Sequence, residues 1–151
     1  MRALTIAQPY AHLIVTGAKR VENRSWPTRV TGPIAIHAGK SRKWLELSAD
    51  GTRDEDYELP LADMAFGAVV GVADLVACLP IEEVRRGDHD QRFPWLREHE
   101  HTEGPFCFVL ENVRRIEPVP FRGSQGFFFV PDSACSCGFR CFQEFREIIS
   151  E

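Results

Sequence analysis

Hydrophobic and polar positions follow two different periods along the chain, and the change between them marks its first elements. Residues 2–6 have the short apolar pattern of a β-strand. Residues 10–14 place their apolar side chains at helical spacing, behind a Gln8-Pro9 pair that suits the first turn of a helix. Gly17 then follows as a helix-ending residue. The pattern therefore predicts a strand, a short helix and a turn that begins at Gly17.

Later apolar runs predict more strands than helices. Residues 67–78 form a β-branched run too continuous for a half-exposed strand, which indicates a central place in a sheet or barrel. Further strands are predicted at residues 34–40, 106–113, 116–121 and 127–130, and helices at residues 41–49, 80–86 and 139–149, with residues 20–26 interpreted as extended chain. This order indicates an α+β fold, a small and mostly antiparallel β-barrel of five to six strands flanked by two or three helices.

Two polar stretches are predicted to be loops. Residues 50–58 are acidic and interrupted by a glycine, which favours exposure to solvent. Residues 87–104 contain three His and several acids, and we expect a surface excursion between strands. Asp74 interrupts the apolar run around it and so needs a partner for its carboxylate.

Length and composition restrict the class of protein. A chain of 151 residues with 44% apolar residues can bury a core as a single domain over residues 1–151, without disulfides or a metal. No apolar run is long enough to span a membrane, so no membrane partner is expected. The first residues lack the pattern of a secretory signal, which predicts a cytoplasmic protein.

Charge is distributed unevenly along the chain. Residues 1–43 contain eight Lys and Arg but only one acid, Glu22, whereas the whole chain has a net charge of -4. A positive patch on an acidic body predicts a local site for something anionic, such as a nucleotide or a short stretch of RNA. Binding there should be modest and should weaken with salt.

The strongest candidate site lies within residues 17–26. In an extended chain Arg20, Glu22, Arg24 and Trp26 share one face, while Val21 and Asn23 point to the other. Glu22 would then lie between two guanidinium groups and stay ionised, holding them ready for a planar polar ligand. The alternative interpretation is the solvated face of an edge strand.

His37 is a second candidate. Ile34 and Ile36 should face the core, which turns His37 to the opposite face of its strand. If that face lines a cleft, His37 could bond a base edge or carry a proton. The alternative is an imidazole satisfied by a neighbouring backbone group.

The five cysteines fall into two groups. Cys78 and Cys107 lie in apolar strands and are expected to be small core residues. Cys135, Cys137 and Cys141 could ligate zinc, with His89, His99 or His101 as a fourth ligand, although their spacing is not the usual Cys-x-x-Cys. Ordinary or oxidation-prone thiols are the alternative, and no cofactor is required by the fold.

The chain resembles the ASCH domain, a branch of the PUA-like β-barrel superfamily. The family marker Gly-x-Lys-x-x-Glu-x-Arg is matched by Gly17, Lys19, Glu22 and Arg24. The Gln8-Pro9 pair, the sequence Ile-His-Ala at residues 36–38 and Leu-Glu-Asn at residues 110–112 follow in the family's order. The resemblance covers residues 1–130 and leaves the cysteine-containing tail, residues 131–151, outside it.

The resemblance implies a cleft between the first helix and the barrel that binds RNA or a modified nucleoside. The binding residues would be the marker residues and their neighbours: Gln8, Lys19, Arg20, Glu22, Asn23, Arg24, Trp26, His37 and Lys40. In this interpretation Arg20, Arg24 and Lys40 contact phosphate, Trp26 stacks on a base, and Glu22 or Asn23 bonds the base edge.

The family also contains hydrolases, among them enzymes that remove the acetyl group from N4-acetylcytidine, and ribonuclease activity has been attributed to others. A hydrolase would use Lys19, Glu22 and Arg24, with Glu22 acting on a water and Arg24 holding an oxyanion. In the deacetylase pattern a Thr nucleophile stands where this chain has Glu22, so that mechanism does not transfer directly. A protein-interaction module, with an unknown protein partner, is the third hypothesis.

Overall fold

Six strands and two short helices make up the part of the chain that the computed structural model describes, residues 1–45 and 61–134. The elements are β1 (Arg2–Ile6), α1 (Tyr10–Val15), β2 (Val21–Arg24), β3 (Gly32–Ala38), β4 (Ala68–Pro80), α2 (Ile81–Arg86), β5 (Phe106–Pro120) and β6 (Phe127–Phe129). Short 3-10 turns lie at Leu61–Asp63 and Asp132–Ala134.

The strands form one curled sheet in the order β2-β5-β4-β3-β1-β6. β1 and β3 are parallel, and the other four neighbouring pairs are antiparallel. The sheet curls into a half-barrel with β2 and β6 at its two edges. The predicted α+β class and mostly antiparallel pairing are confirmed.

β5 differs from its prediction. It is one strand of 15 residues where the sequence predicted two, at 106–113 and 116–121. Its pairing with β4 shifts register at three places. Bulges of this kind bend a strand without ending it, so polar residues in the middle of β5 are accommodated by irregular pairing.

Three apolar clusters hold these elements together. The first lies between α1 and the sheet and contains Ile14, Ile36 and Phe108. The second covers the other face of β1 and β3, so β3 is buried on both faces. The third joins β2 to residues 87–104, where Phe93 and Leu96 are buried. Residues 87–104 form turns between α2 and β5 with most side chains exposed or half-buried, so the predicted surface excursion is confirmed, while Phe93 and Leu96 pack it against the sheet.

Helix α1 places the start of the candidate site. Ala11, Ile14 and Val15 bury one side of α1, and Gly71 of β4 lets the helix approach closely, since a Cβ there would meet Val15 at 2.6 Å. The helix then ends before Gly17, whose φ of 90° lies in the left-handed region that favours glycine. The predicted helix and its stop signal agree with the structure.

Several predictions lie wholly or partly outside the described residues. They concern the acidic loop at 50–58, the helix at 139–149, the cysteines at 135, 137 and 141, and most of the helix at 41–49. Residues 43–45 form a turn. Within residues 1–45 and 61–134, neither helix has the length and apolarity that crossing a bilayer requires.

Candidate functional site

Strand β2 presents its polar side chains in alternation, as its sequence predicts. It pairs with β5 from Val21, opposite Val109, to Arg24, opposite Phe106. Val21 is buried in the third cluster, whereas Glu22 and Arg24 meet each other on the other side of the strand. The alternation thus brings a carboxylate and a guanidinium together beside the end of α1.

Lys19 joins this pair from the turn after α1. Its backbone N–H donates to the carbonyl of Leu13 at 3.0 Å, which fixes the turn. Its Nζ lies 3.8 Å from Glu22 Oε2, and Arg24 Nε lies 3.3 Å from Glu22 Oε1. Lys19 is 5% exposed and Glu22 is 9% exposed, so two opposite charges are nearly removed from water. We call Lys19, Glu22 and Arg24 the Glu22 cluster.

The Glu22 cluster has unused hydrogen-bonding capacity. The distance from Lys19 Nζ to Glu22 Oε2 is beyond that of a hydrogen bond. Among the described residues, Glu22 Oε2 and Arg24 Nε are buried atoms without a hydrogen-bond partner. Buried polar atoms are normally paired, so an orphaned acceptor beside an orphaned donor indicates a place where a ligand or water forms bonds.

Burial changes the expected protonation of Glu22. Removal from water raises the pKa of the Glu22 carboxyl, while the charges of Lys19 and Arg24 lower it. The prediction of a simply ionised Glu22 considered its neighbours and omitted this desolvation. A carboxyl with a raised pKa can both accept hydrogen bonds and exchange a proton nearer neutral pH.

Arg24 is anchored across the half-barrel. Its Nη2 donates to the backbone carbonyl of Thr5 at 2.6 Å. This bond fixes the guanidinium, whose Nε lies 3.3 Å from Glu22 Oε1. The cluster is therefore held from three elements: β2 itself, the end of α1 and the end of β1.

Two aromatic residues that the sequence interpretation assigned to helical packing lie beside the cluster. Lys19 Nζ is 5.0 Å from the centre of the Tyr10 ring, and Tyr10 meets Trp44 edge to face at 6.3 Å. Trp44 is 57% exposed. Burial, Glu103 and Glu22 raise the pKa of the Tyr10 hydroxyl, which therefore stays protonated at neutral pH. In the sequence, the position of Trp44 directly after the basic stretch at residues 40–43 is the signal that could have indicated it as a site residue.

Arg20 departs from the predicted arrangement. The strand begins at Val21, so the alternation does not extend back to Arg20. Its guanidinium instead lies over the ring of Trp95, with Cζ 3.7 Å from the ring centre. Glu22 therefore lies between Lys19 and Arg24, and the prediction of two flanking guanidinium groups is wrong for Arg20.

Asn23 lies on the other side of β2 from the cluster, and its amide holds residues 101–104. Its Nδ2 donates to the carbonyl of His101 at 2.8 Å, and its Oδ1 accepts the N–H groups of Glu103 at 3.0 Å and Gly104 at 2.8 Å. Asn23 thus fastens residues 101–104 to β2. Its amide has a structural use, and the base contact at Glu22 or Asn23 stays a prediction.

Gln8 and His37 also lie apart from the Glu22 cluster. Gln8 is buried, its Nε2 donates to the carbonyl of Ala65 and its Oε1 accepts the N–H of His12, both at 2.9 Å. His37 Nε2 donates to the carbonyl of Phe121 at 2.7 Å, so its Nδ1 accepts the hydroxyl of Thr5 at 3.0 Å. Burial lowers the pKa of His37, and the bond to Phe121 opposes this.

Trp26 and Lys40 complete the predicted set. Trp26 is half-buried against the first cluster and meets Phe108 at 5.2 Å and Phe127 at 5.6 Å, both edge to face. Lys40 is exposed and its side chain runs along Gly67. Of the nine predicted binding residues, the structure brings Lys19, Glu22 and Arg24 into direct contact.

Comparison with known proteins identifies the family. The ASCH domain model matches residues 4–120. The chain belongs to the ASCH domain family. This family is PUA-like and is associated with RNA binding.

Relatives of this ASCH chain include activating signal cointegrator 1 from Homo sapiens and from Mus musculus, each 30% identical over 128 residues. The match covers 80% of this chain and 21% of each relative, so the chain spans about a fifth of their length. The crystal structure of ASCH from Zymomonas mobilis has a TM-score of 0.50 at 18% identity, covering 88% of this chain and 89% of that one. That likeness concerns the fold.

A metal centre is the remaining question for this ASCH domain. Across residues 1–45 and 61–134, His, Cys, Asp and Glu form no group of three suited to a metal ion. Cys135, Cys137 and Cys141, the predicted zinc ligands, lie outside the described residues. Cys107 is buried, and burial raises the pKa of its thiol to about 11, which agrees with a small core residue.

Proposed function

We propose that this ASCH domain binds RNA or a modified nucleoside with the polar edge of one base against the Glu22 cluster. The observation that carries the proposal is the buried Glu22 Oε2, which has no hydrogen-bond partner among the described residues. A base offers donors and acceptors along one flat edge, which matches a carboxylate flanked by two cations. The Nε of Arg24, which lies 3.3 Å from Glu22 Oε1 but has no hydrogen-bond partner among the described residues, supplies a donor beside this acceptor.

The chemistry of the cluster favours a base with an exocyclic amino group. A carboxylate accepts hydrogen bonds, and the amino group of cytosine is the donor with which Glu and Asp pair in nucleic-acid recognition. Lys19 and Arg24 lie on either side of the carboxylate and can donate to neighbouring acceptors on the base. Cytidine and its modified forms are therefore the first ligands to test.

The surroundings of the cluster suit the rest of a nucleotide. Trp44 is exposed beside Tyr10 and offers an aromatic face for stacking. Lys40, Arg42 and Lys43 are exposed on the same stretch of chain, with Lys43 Nζ 5.2 Å from the centre of the Trp44 ring. Cations at this position would meet the phosphates, and affinity should fall as salt rises.

Binding can be measured by calorimetry with hexamers of C, U, A and G, and with cytidine and N4-acetylcytidine. We expect the C hexamer to bind most tightly. The substitution Glu22→Gln keeps the shape but removes the charge, and should weaken that complex about tenfold or more, the usual worth of a charged hydrogen bond.

Glu83→Gln is the matched control. Glu83 is a half-buried carboxylate paired with His89 at 2.9 Å on α2, away from the cluster. Its substitution should leave the affinity for the C hexamer unchanged. Absence of binding by the wild-type protein, or equal affinities of wild type and Glu22→Gln, would contradict the proposal.

Hydrolysis at the same cluster is the second candidate function, and the raised pKa of Glu22 favours it. Glu22 would take a proton from a water that attacks the acetyl carbonyl of N4-acetylcytidine, and Arg24 would stabilise the oxyanion. The bond from the acetyl carbon to N4 would then break as Glu22 returns the proton to N4, which releases acetate and cytidine. Purified protein incubated with N4-acetylcytidine tests this reaction through acetate release. Release that survives Glu22→Ala would exclude this role for Glu22.

A further inference from the structure

A second group of flat side chains lies next to the Glu22 cluster. The guanidinium of Arg20 lies over the Trp95 ring, with Cζ 3.7 Å from its centre. The Trp95 ring meets His99 edge to face at 5.4 Å, and His99 meets His101 at 5.6 Å. We call these four residues the Trp95 shelf. All four are half-buried, so each keeps part of its surface open to solvent.

The shelf is held in place by the backbone. The N–H of Arg20 donates to His99 Nε2 at 3.0 Å, which ties residue 20 to residues 87–104. Trp95 is partly buried against the third cluster, and Phe93 meets it at 6.3 Å. A guanidinium already stacked on a fixed ring loses little freedom when a second flat group stacks on it.

The shelf continues the Glu22 cluster along the chain and in space. Arg20 stands between Lys19 and Glu22 in sequence, and the charge of Lys19 acts on both His99 and His101. We propose that the Trp95 shelf binds the base of a nucleotide adjacent to the one at Glu22, so that the natural ligand is single-stranded RNA rather than a free nucleoside. This inference rests on the proposed function.

The charges around the shelf favour a base over a phosphate. Glu98, Glu100 and Glu103 are exposed along the same segment and would repel a phosphate. Burial lowers the pKa of His99 and of His101, so both imidazoles are neutral at pH 7 and can stack or form hydrogen bonds. Stacking on Arg and aromatic planes is how single-stranded RNA is usually recognised.

The test compares three probes by calorimetry: cytidine, the trinucleotide CCC, and a trinucleotide with abasic riboses on both sides of one cytosine. The variant Arg20→Lys keeps the positive charge and loses the plane. We expect the ratio of the CCC affinity to the cytidine affinity to fall about tenfold, as for loss of one stacked base. In Arg20→Lys, the ratio of the affinity for the abasic trinucleotide to the affinity for cytidine should not fall in this way.

Arg92→Lys is the matched control, because Arg92 lies over the Phe93 ring at 4.7 Å in the same segment, outside the shelf. It should leave the ratio unchanged, and thermal melting should confirm that both variants fold. An unchanged ratio in Arg20→Lys, or an equal loss with the abasic probe, would overturn the shelf while leaving the Glu22 site standing. Wild-type protein that binds no probe would overturn both.

Discussion

Burial of the Glu22 carboxylate destabilises the fold, which indicates a functional reason for this residue. Moving a carboxylate out of water costs several kcal/mol, which two nearby cations only offset when hydrogen bonds complete the geometry. Here Glu22 Oε2 lacks such a bond among the described residues, and Lys19 lies 3.8 Å away. A local violation of this kind is typical of functional sites, where stability is given up for a prepared binding surface.

The pH dependence of stability should expose this arrangement. The folded-state pKa of Glu22 is raised, so the unfolded chain loses this proton first as pH rises. Stability is therefore lost from about pH 4.3, the ordinary value for Glu, up through the raised pKa, and is constant above it. Glu22→Gln mimics the neutral carboxyl, so its unfolding free energy should rise relative to that of the wild type as pH increases across this window.

Urea denaturation of both proteins from pH 4 to pH 8 measures the difference in unfolding free energy. The absolute difference also contains the cost of leaving Lys19 and Arg24 without their anion, so the trend with pH carries the prediction. The unfolding free energy of Glu22→Gln minus that of the wild type should increase with pH. If this difference stayed constant or decreased as pH rises, it would contradict a raised pKa at Glu22.

The sequence predicted this cluster as far as local geometry allowed. A two-residue period places Glu22 and Arg24 on one side of β2, and no knowledge of the rest of the chain is needed. Arg20 could not be placed in this way, because its side chain follows Trp95, a residue 75 positions further along. Likewise, Asn23 bonds the carbonyl of His101, 78 positions away, and His37 bonds that of Phe121, 84 positions away.

Residues 87–104 give β2 its outer support. The segment has no regular periodicity, so its polar composition suggested exposure, yet Phe93 and Leu96 are buried against β2 and β4. Phe93, Trp95 and Leu96 are the large apolar residues of this polar stretch, and they are a weak signal because exposed apolar residues are common. What fixes the end of this segment is the side chain of Asn23.

Asn23→Ala should therefore destabilise the protein. It leaves the N–H groups of Glu103 and Gly104 and the carbonyl of His101 without their partner, and we expect a loss of about 1–3 kcal/mol in unfolding free energy. Amide hydrogen exchange should also accelerate at residues 103 and 104. Urea denaturation and exchange measured together check both effects.

Gln125→Ala is the control for Asn23→Ala, because Gln125 is an exposed amide in the turn before β6. Surface changes of this type alter unfolding free energy by about 0.5 kcal/mol or less. If Asn23→Ala were equally mild, the amide would be free for the base contact that the sequence suggested.

The half-barrel brings its two edges together around the candidate site. β2 and β6 are the first and last strands of the sheet, and no strand pairing joins them. Two side chains from the β2 end cross the gap: Arg24 bonds the carbonyl of Thr5, and Trp26 packs against Phe127. Such closure depends on the curl of the whole sheet, which is why the sequence predicted strands and a barrel without showing what joins the edges.

Trp26→Leu tests whether Trp26 closes the half-barrel or stacks on RNA. Trp26 contacts Phe108 and Phe127, which themselves stack at 6.3 Å, so a smaller side chain leaves a void between β5 and β6. We expect about 1–3 kcal/mol less unfolding free energy, less than for a fully buried Trp because Trp26 is half-exposed. Trp44→Leu, at a 57% exposed position, should change the unfolding free energy by about 0.5 kcal/mol or less.

If Trp26→Leu were as stable as wild type but bound the C hexamer more weakly, Trp26 would be a stacking platform for RNA. In that case Arg24 alone would join the two edges of the half-barrel. Arg24→Lys, and not Trp26→Leu, should then lower the unfolding free energy.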